Sequence, residues 1–228
     1  MRVALLIPAA GSGSRLGLSV PKALVDVGGL PLVRRTLERI AGSFSFEEIV
    51  VLVPEQVRRS VESALAGAPA CVVRVGGATR QESVRCGLNA LTSGADIVCV
   101  HDAARPLTPA STVRAVIASA VRCGAATAAS RPSDSVRIDE GDGSRALDRG
   151  RLWLVETPQA FRRELLERAH AAAADAHVHG TDDASLVEAL GQRVDIVETD
   201  GPNVKVTVES DLFMVAELLR RQLRAKRA

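Results

Sequence analysis

The 228-residue chain has no tyrosine, one tryptophan and only 2% aromatic residues. A tyrosine-dependent short-chain reductase is therefore excluded, because its catalytic side chain is missing. An excess of one charge sign is lacking too. With a formal net charge of +2 and 25% charged residues, no global field points to nucleic acid or a membrane surface. No apolar run is long enough to span a bilayer. The opening MRVALLIPAAG passes from a short apolar stretch straight into a glycine loop, without the cleavage pattern of a secretory leader. The four cysteines, Cys71, Cys86, Cys99 and Cys123, include no CxxC pair. Three of them lie in apolar surroundings and read as buried, reduced thiols of a cytoplasmic protein. Neither an internal repeat nor a low-complexity linker is found.

What is present is a hydrophobic content of 46%, ample for one domain spanning residues 1–228. Apolar runs of strand length alternate with segments of helical period, the pattern of βαβ units around a largely parallel sheet. Strands are expected at 3–7, 49–53, 71–75, 97–101, 125–130, 152–155, 194–198 and 204–207. Helices are expected at 31–40, 56–65, 79–91, 109–122, 162–173, 182–190 and 210–224. The polar stretch 133–153 breaks this rhythm with a DEGDG turn between two short alternating runs, a hairpin pattern. Such a hairpin has little stability alone and must pack on its own domain or on another subunit. The basic end RRQLRAKRA reads as a solvated helix terminus. His177 and His179 lack partners at metal-ligand spacing and read as loop residues.

The stretch LIPAAGSGSRLGLSVPKAL, residues 6–24, runs from a strand into a glycine-rich turn flanked by Arg15 and Lys22. Gly11, Gly13 and Gly17 give G-x-G-x-x-x-G, one residue out of step with a dinucleotide fingerprint. No GK[ST] occurs, so a P-loop is excluded. A triphosphate that is cut during reaction explains more of the residues. Gly11 and Gly13 allow backbone N–H groups to face phosphate oxygens, and two cations reach the same loop. That arrangement suits phosphoryl or nucleotidyl transfer, where positioning and electrostatics dominate. Further on, HDAARP at 101–106 places Asp102 and Arg105 at the carboxyl end of a strand, where open α/β sheets bind ligands. A single carboxylate facing a triphosphate is a natural Mg²⁺ ligand. His101 is assigned to structure.

Six segments then occur in order: PAAGSGSRLG with PK at 8–22, GGATRQESV at 76–84, HDAARP at 101–106, TPQAF at 157–161, TDDAS at 181–185 and NVKVT at 203–207. Together they resemble the 2-C-methyl-D-erythritol 4-phosphate cytidylyltransferase family over nearly the whole chain. The resemblance implies a Rossmann-like nucleotidyltransferase fold with a mostly parallel central sheet, helices on both faces and a β-hairpin dimerisation arm. It implies transfer of a cytidylyl group from CTP to a polyol phosphate. Arg15 and Lys22 would stabilise charge at the α-phosphate, Asp102 would hold Mg²⁺, and Lys205 would lie near the phosphates. Ala9, Ala10, Gly11, Gly13, Gly77 and Ser83 would form the nucleotide site, with Arg80 close by. Arg105, Thr157 and Thr181 would line the sugar-phosphate site. Ser135 and Arg149 of the arm would act in the partner subunit of a homodimer.

The sequence departs from the family pattern in places. The arm begins Asp134-Ser135-Val136-Arg137 where Asp-Thr and a later Lys are usual. Ala78 replaces an acidic residue, Ala23 an aromatic one, and Glu156 stands where Gln is usual. The substrate expected is 2-C-methyl-D-erythritol 4-phosphate, with D-ribitol 5-phosphate as the nearest rival. A catalytically inactive nucleotide-binding module and a dinucleotide oxidoreductase are the alternatives from other classes.

Overall fold

The computed structural model describes residues 1–11, 13, 17 and 20–225. Nine strands occur among them: β1 Val3–Pro8, β2 Glu48–Val53, β3 Val72–Val75, β4 Ile97–Val100, β5 Ala125–Ser130, β6 Arg137–Asp139, β7 Ser144–Ala146, β8 Leu154–Arg162 and β9 Asp195–Glu198. The helices are α1 Leu32–Ala41, α2 Arg58–Ala64, α3 Arg80–Ala90, α4 Ala110–Cys123, α5 Arg163–Asp175, α6 Asp183–Ala189 and α7 Glu209–Ala225. Seven strands form one sheet in the order β3-β2-β1-β4-β8-β5-β9. All neighbours pair in parallel except β8, which is antiparallel to both β4 and β5.

The two central strands β1 and β4 are apolar at every position because both sheet faces are covered. Alternate residues of β1 serve the two faces. Leu5 and Ile7 join Leu37 and Ile40 of α1 and Val116 and Ile117 of α4 in one core cluster. Leu6 joins Val84 and Leu88 of α3 and Leu166 and Ala169 of α5 in another. A third, smaller cluster ties Val206 and Val215 to Val27, Leu32 and Leu107, which seats the segment before α7 against the main body.

Every expected helix is found, with ends shifted by one or two residues. Two strand expectations are corrected. Residues 204–207 form no strand; Val206 donates its amide N–H to the carbonyl of Ala104 and is held by burial of its side chain. The strand expected at 152–155 runs instead from Leu154 to Arg162, as polar Thr157 and Gln159 masked its continuation. The thiols also differ from expectation, since Cys99 is buried, Cys71 and Cys86 are half-buried and Cys123 is exposed. The last helix carries its basic side chains on the surface, with Arg220 and Arg221 pairing with Glu217.

The start of α3 is fixed by a reciprocal cap. The Thr79 hydroxyl accepts from the Glu82 N–H, and the Glu82 carboxylate accepts from the Thr79 N–H, both at 3.1 Å. Gly77 precedes it where a Cβ would run into Glu82. Thr79→Ala removes one leg of the cap and is expected to cost about 1 kcal/mol. In a domain of this size that is a fall in Tm of roughly 2–4 °C by scanning calorimetry.

Candidate active site

The chain leaves β1 and β4 side by side and in opposite senses around the sheet, so the loops that follow them open a crevice at the carboxyl edge. A cleft of about 380 Å³ lies there. Pro8–Gly11 after β1 and Asp102–Ala104 after β4 form its floor, and Lys22, Arg80 and Lys205 bring three cations to its wall. Lys22 opens a short 3-10 turn behind Pro21. Gly13 has φ of 68°, and a Cβ there would stand 2.9 Å from the Lys22 Cβ, so the glycine permits this close approach. Arg15 lies outside the described residues.

Asp102 is the only carboxylate lining that cleft among the described residues. It is buried, with Oδ1 accepting from Arg80 Nε at 2.9 Å and Oδ2 paired with Lys205 Nζ at 2.7 Å. Burial opposes its charge, but the adjacent Arg80 and Lys205 more than offset this and hold the carboxyl well below the usual carboxylate range. The Thr157 hydroxyl accepts from the Asp102 amide at 3.1 Å and so fixes the backbone at this turn. Arg80 reaches further, donating from Nη1 to Asp183 at 2.8 Å, while its buried Nη2 has no partner among the described residues. Burial alone would lower the Arg80 pKa; Asp183 and Asp102 raise it instead.

The remaining expected residues are placed as follows. Ala9, Ala10 and Gly11 line the cleft. Gly77 lies in the turn before α3, and Ser83 is fully buried, its hydroxyl donating to the carbonyl of Thr79 at 2.8 Å. Arg105 is buried and donates to the Asn203 carbonyl at 2.6 Å. Thr181 is exposed just before α6. Ser135 and Arg149 are exposed at the foot of the arm's hairpin, where Arg149 donates to the Ser133 carbonyl.

Four further residues organise the wall and were not singled out from sequence. Gln159 is fully buried and accepts the amides of Asp183 and Ala184, which anchors the start of α6. Asn203 donates to Glu156 and to the Thr157 carbonyl, and it accepts from Thr108. His170 and Asp183 are both buried and joined at 2.9 Å. His170 could have been noticed as a polar residue on the apolar stripe of α5 beside Leu166, Ala169 and Ala173. For Asp183, two adjacent aspartates give no hint of which one turns inward.

Asp102 has accepting capacity beyond its two present partners, since a carboxylate offers about four lone-pair sites. No cluster of three or more His, Cys, Asp or Glu side chains suited to a metal occurs among the described residues. A single carboxylate such as Asp102 could hold Mg²⁺ where phosphate and water supply the rest of its shell.

Fold and cleft together define a nucleotidyltransferase-type α/β enzyme. A family model described as 2-C-methyl-D-erythritol 4-phosphate cytidylyltransferase matches residues 3–221. A protein of that name from Syntrophus aciditrophicus is 37% identical over 97% of each chain. A bifunctional enzyme IspD/IspF from Clavibacter michiganensis is 44% identical over 96% of this chain, which spans 55% of that longer protein. The crystal structure of the cytidylyltransferase from Thermus thermophilus superposes with a TM-score of 0.79 at 36% identity, covering 96% of this chain and 100% of the other. The chain belongs to the 2-C-methyl-D-erythritol 4-phosphate cytidylyltransferase family.

Beneath the cleft, His101 is fully buried, with Nε2 at 3.1 Å from the Arg105 carbonyl. Burial pulls its pKa from 6.5 down to about 4, against the opposing pull of that carbonyl. The folded pKa lies below the unfolded one, so the unfolded state takes up the proton first as pH falls. Stability is thus lost between about pH 6.5 and 4. His101→Gln, compared with the unaltered chain by urea denaturation, is expected to lose about 2 kcal/mol less between pH 7 and pH 5.

Proposed function

We propose that this chain transfers the cytidylyl group of CTP to 2-C-methyl-D-erythritol 4-phosphate, giving 4-diphosphocytidyl-2-C-methyl-D-erythritol and pyrophosphate. A phosphate oxygen of the polyol phosphate forms a bond to the α-phosphorus, and the bond from that phosphorus to the bridging oxygen breaks. Pyrophosphate leaves with the electron pair. The attacking phosphate is already anionic near neutral pH, so no general base is required. The observation that carries this reading is the cleft, which Lys22, Arg80 and Lys205 line together with Asp102, the only carboxylate there among the described residues.

In this reading the backbone of Ala9, Ala10 and Gly11 approaches the nucleotide closely, with Gly13, Gly77 and Ser83 supporting that side. Lys22, together with Arg15, stabilises charge on the α-phosphate. Lys205 serves the phosphates, and Arg105, Thr157 and Thr181 the polyol-phosphate side. Asp102 would hold Mg²⁺, which when bound would neutralise polyphosphate charge.

The arm supports a homodimer. Its strands β6 and β7 are exposed at every residue, Ile138 presents apolar surface there, and Leu154 and Val155 do so at the start of β8 where the arm rejoins the sheet. A two-stranded hairpin of three-residue strands gains stability by packing on a second copy. Its base is braced by Arg131 stacked over Trp153 at 3.5 Å. Ser135 and Arg149 would then complete the partner's site. A cytoplasmic setting agrees with four unpaired thiols, and no helix among the described residues is long and apolar enough to cross a membrane.

Pyrophosphate release from CTP and Mg²⁺ tests the reading. Turnover with 2-C-methyl-D-erythritol 4-phosphate and little with D-ribitol 5-phosphate is expected; the reverse preference would move the substrate, and silence with both would leave a binding module. Lys22→Ala is expected to lower kcat by about 10²- to 10³-fold. Mixing the inactive Lys22→Ala and Arg149→Ala proteins should restore part of the activity through heterodimers with one intact composite site. No recovery despite proven subunit exchange would show that the arm acts within its own subunit.

A further inference from the structure

Behind the cleft wall, polar groups continue inward where apolar packing would be expected. Arg80 spends Nε on Asp102 at 2.9 Å and Nη1 on Asp183 at 2.8 Å. Asp183 is fully buried, and its other oxygen meets His170 Nε2 at 2.9 Å. A carboxylate only accepts, so Nε2 carries the proton in that contact. His170 is itself 2% exposed, on a helix whose neighbouring buried residues are Leu166, Ala169 and Ala173. Burying a carboxylate and an imidazole among these groups is costly unless each is hydrogen-bonded to a purpose.

The placement of Asp183 is also constrained from the backbone side. Gln159 Oε1 accepts the Asp183 N–H at 3.1 Å, and Asp182 caps the same helix start by accepting from Ser185 at 2.9 Å. Asp183 is thus a fixed point, and Arg80 is the flexible member of the pair. An arginine held by two fixed carboxylates on two of its nitrogens presents the third in one orientation. That third nitrogen, Nη2, is buried and has no partner among the described residues, and Arg80 lines the cleft.

We infer that Asp183 and His170 are positioning residues for nucleotide binding: His170 holds Asp183, Asp183 holds Arg80, and the Arg80 guanidinium is thereby kept in one orientation at the cleft wall for the nucleotide. Neither residue reaches substrate. This inference rests on the cleft being the CTP site, and it assigns to the wall behind that site a role in affinity for the nucleotide and not for the polyol phosphate.

The test is steady-state kinetics with each substrate varied in turn, together with calorimetric CTP binding, on Asp183→Asn, Asp183→Glu, His170→Leu and His170→Gln. Asp183→Asn is expected to raise KM and Kd for CTP roughly 10- to 100-fold, the loss of a hydrogen bond to a charged group. Asp183→Glu should recover part of that. His170→Leu, which keeps the volume but removes the donor, is expected to raise KM for CTP about two- to tenfold, and His170→Gln should bring it back toward the unaltered value. KM for the polyol phosphate should stay within about twofold throughout. His177→Asn, at a surface-loop histidine of positive φ, is the control expected to change nothing.

The His170 pair decides the matter even if Asp183→Asn does not fold. Equal CTP affinity in His170→Leu and the unaltered chain would overturn the inference. So would KM values that rise alike for both substrates, since that is what general loosening of the fold produces. An unaltered chain that neither binds nor turns over CTP would instead overturn the reading of the cleft, and this inference with it.

Discussion

Asp102 sits buried between Arg80 on one oxygen and Lys205 on the other. Removing its charge would take away the carboxylate that Arg80 and Lys205 share, leaving the two cations side by side with Arg80 paired to Asp183 alone. Three segments remote in sequence are therefore required to meet: the turn after β4, the first residue of α3 and the stretch before α7. Each has its own local anchor. The turn after β4 is held by Thr157, α3 by its Thr79–Glu82 cap, and the Lys205 stretch by burial of Val206. The ion-paired centre is the place where these anchors agree.

The same arrangement prepares the cleft for an anion. Among the described residues three cations and one carboxylate line it, so an entering polyphosphate meets an excess of positive charge, while Asp102 stays paired with Arg80 and Lys205. Arg80 is pinned from behind by Asp183, and its orientation does not depend on a mobile side chain. Preorganised cations of this kind act without reorganising as charge develops, which is where catalysis of nucleotidyl transfer has most to gain. The arm differs in kind, with short exposed strands and few anchors beyond Arg131 and Trp153.

The sheet and helices were legible because their signals are local. Apolar runs at 3–7 and 97–101 read as buried strands, and they are β1 and β4 within one residue at one end. Residues 204–207 were misread as a strand because Val204 and Val206 alternate with polar residues, which burial against Ala104 and the third core cluster explains equally well. The antiparallel sense of β8 has no sequence signature. The cleft residues Lys22, Asp102 and Lys205 were legible as motifs, whereas the chain from Asp102 through Arg80 and Asp183 to His170 was not, because it is made by side chains up to 103 positions apart. TPQAF and TDDAS looked like separate motifs; in the fold Gln159 clamps the helix that carries Asp183.

The measurement that tests the central claim most directly is a double-mutant cycle on unfolding free energy, pairing Asp102→Asn with Lys205→Met. If the charged Asp102 organises the wall, the single variants will each destabilise the chain and the double variant will recover part of the loss, with a coupling of about 1 kcal/mol or more. Losses that add to within about 0.5 kcal/mol would mean that the two side chains act independently, and the account of the wall as one electrostatic unit would be wrong.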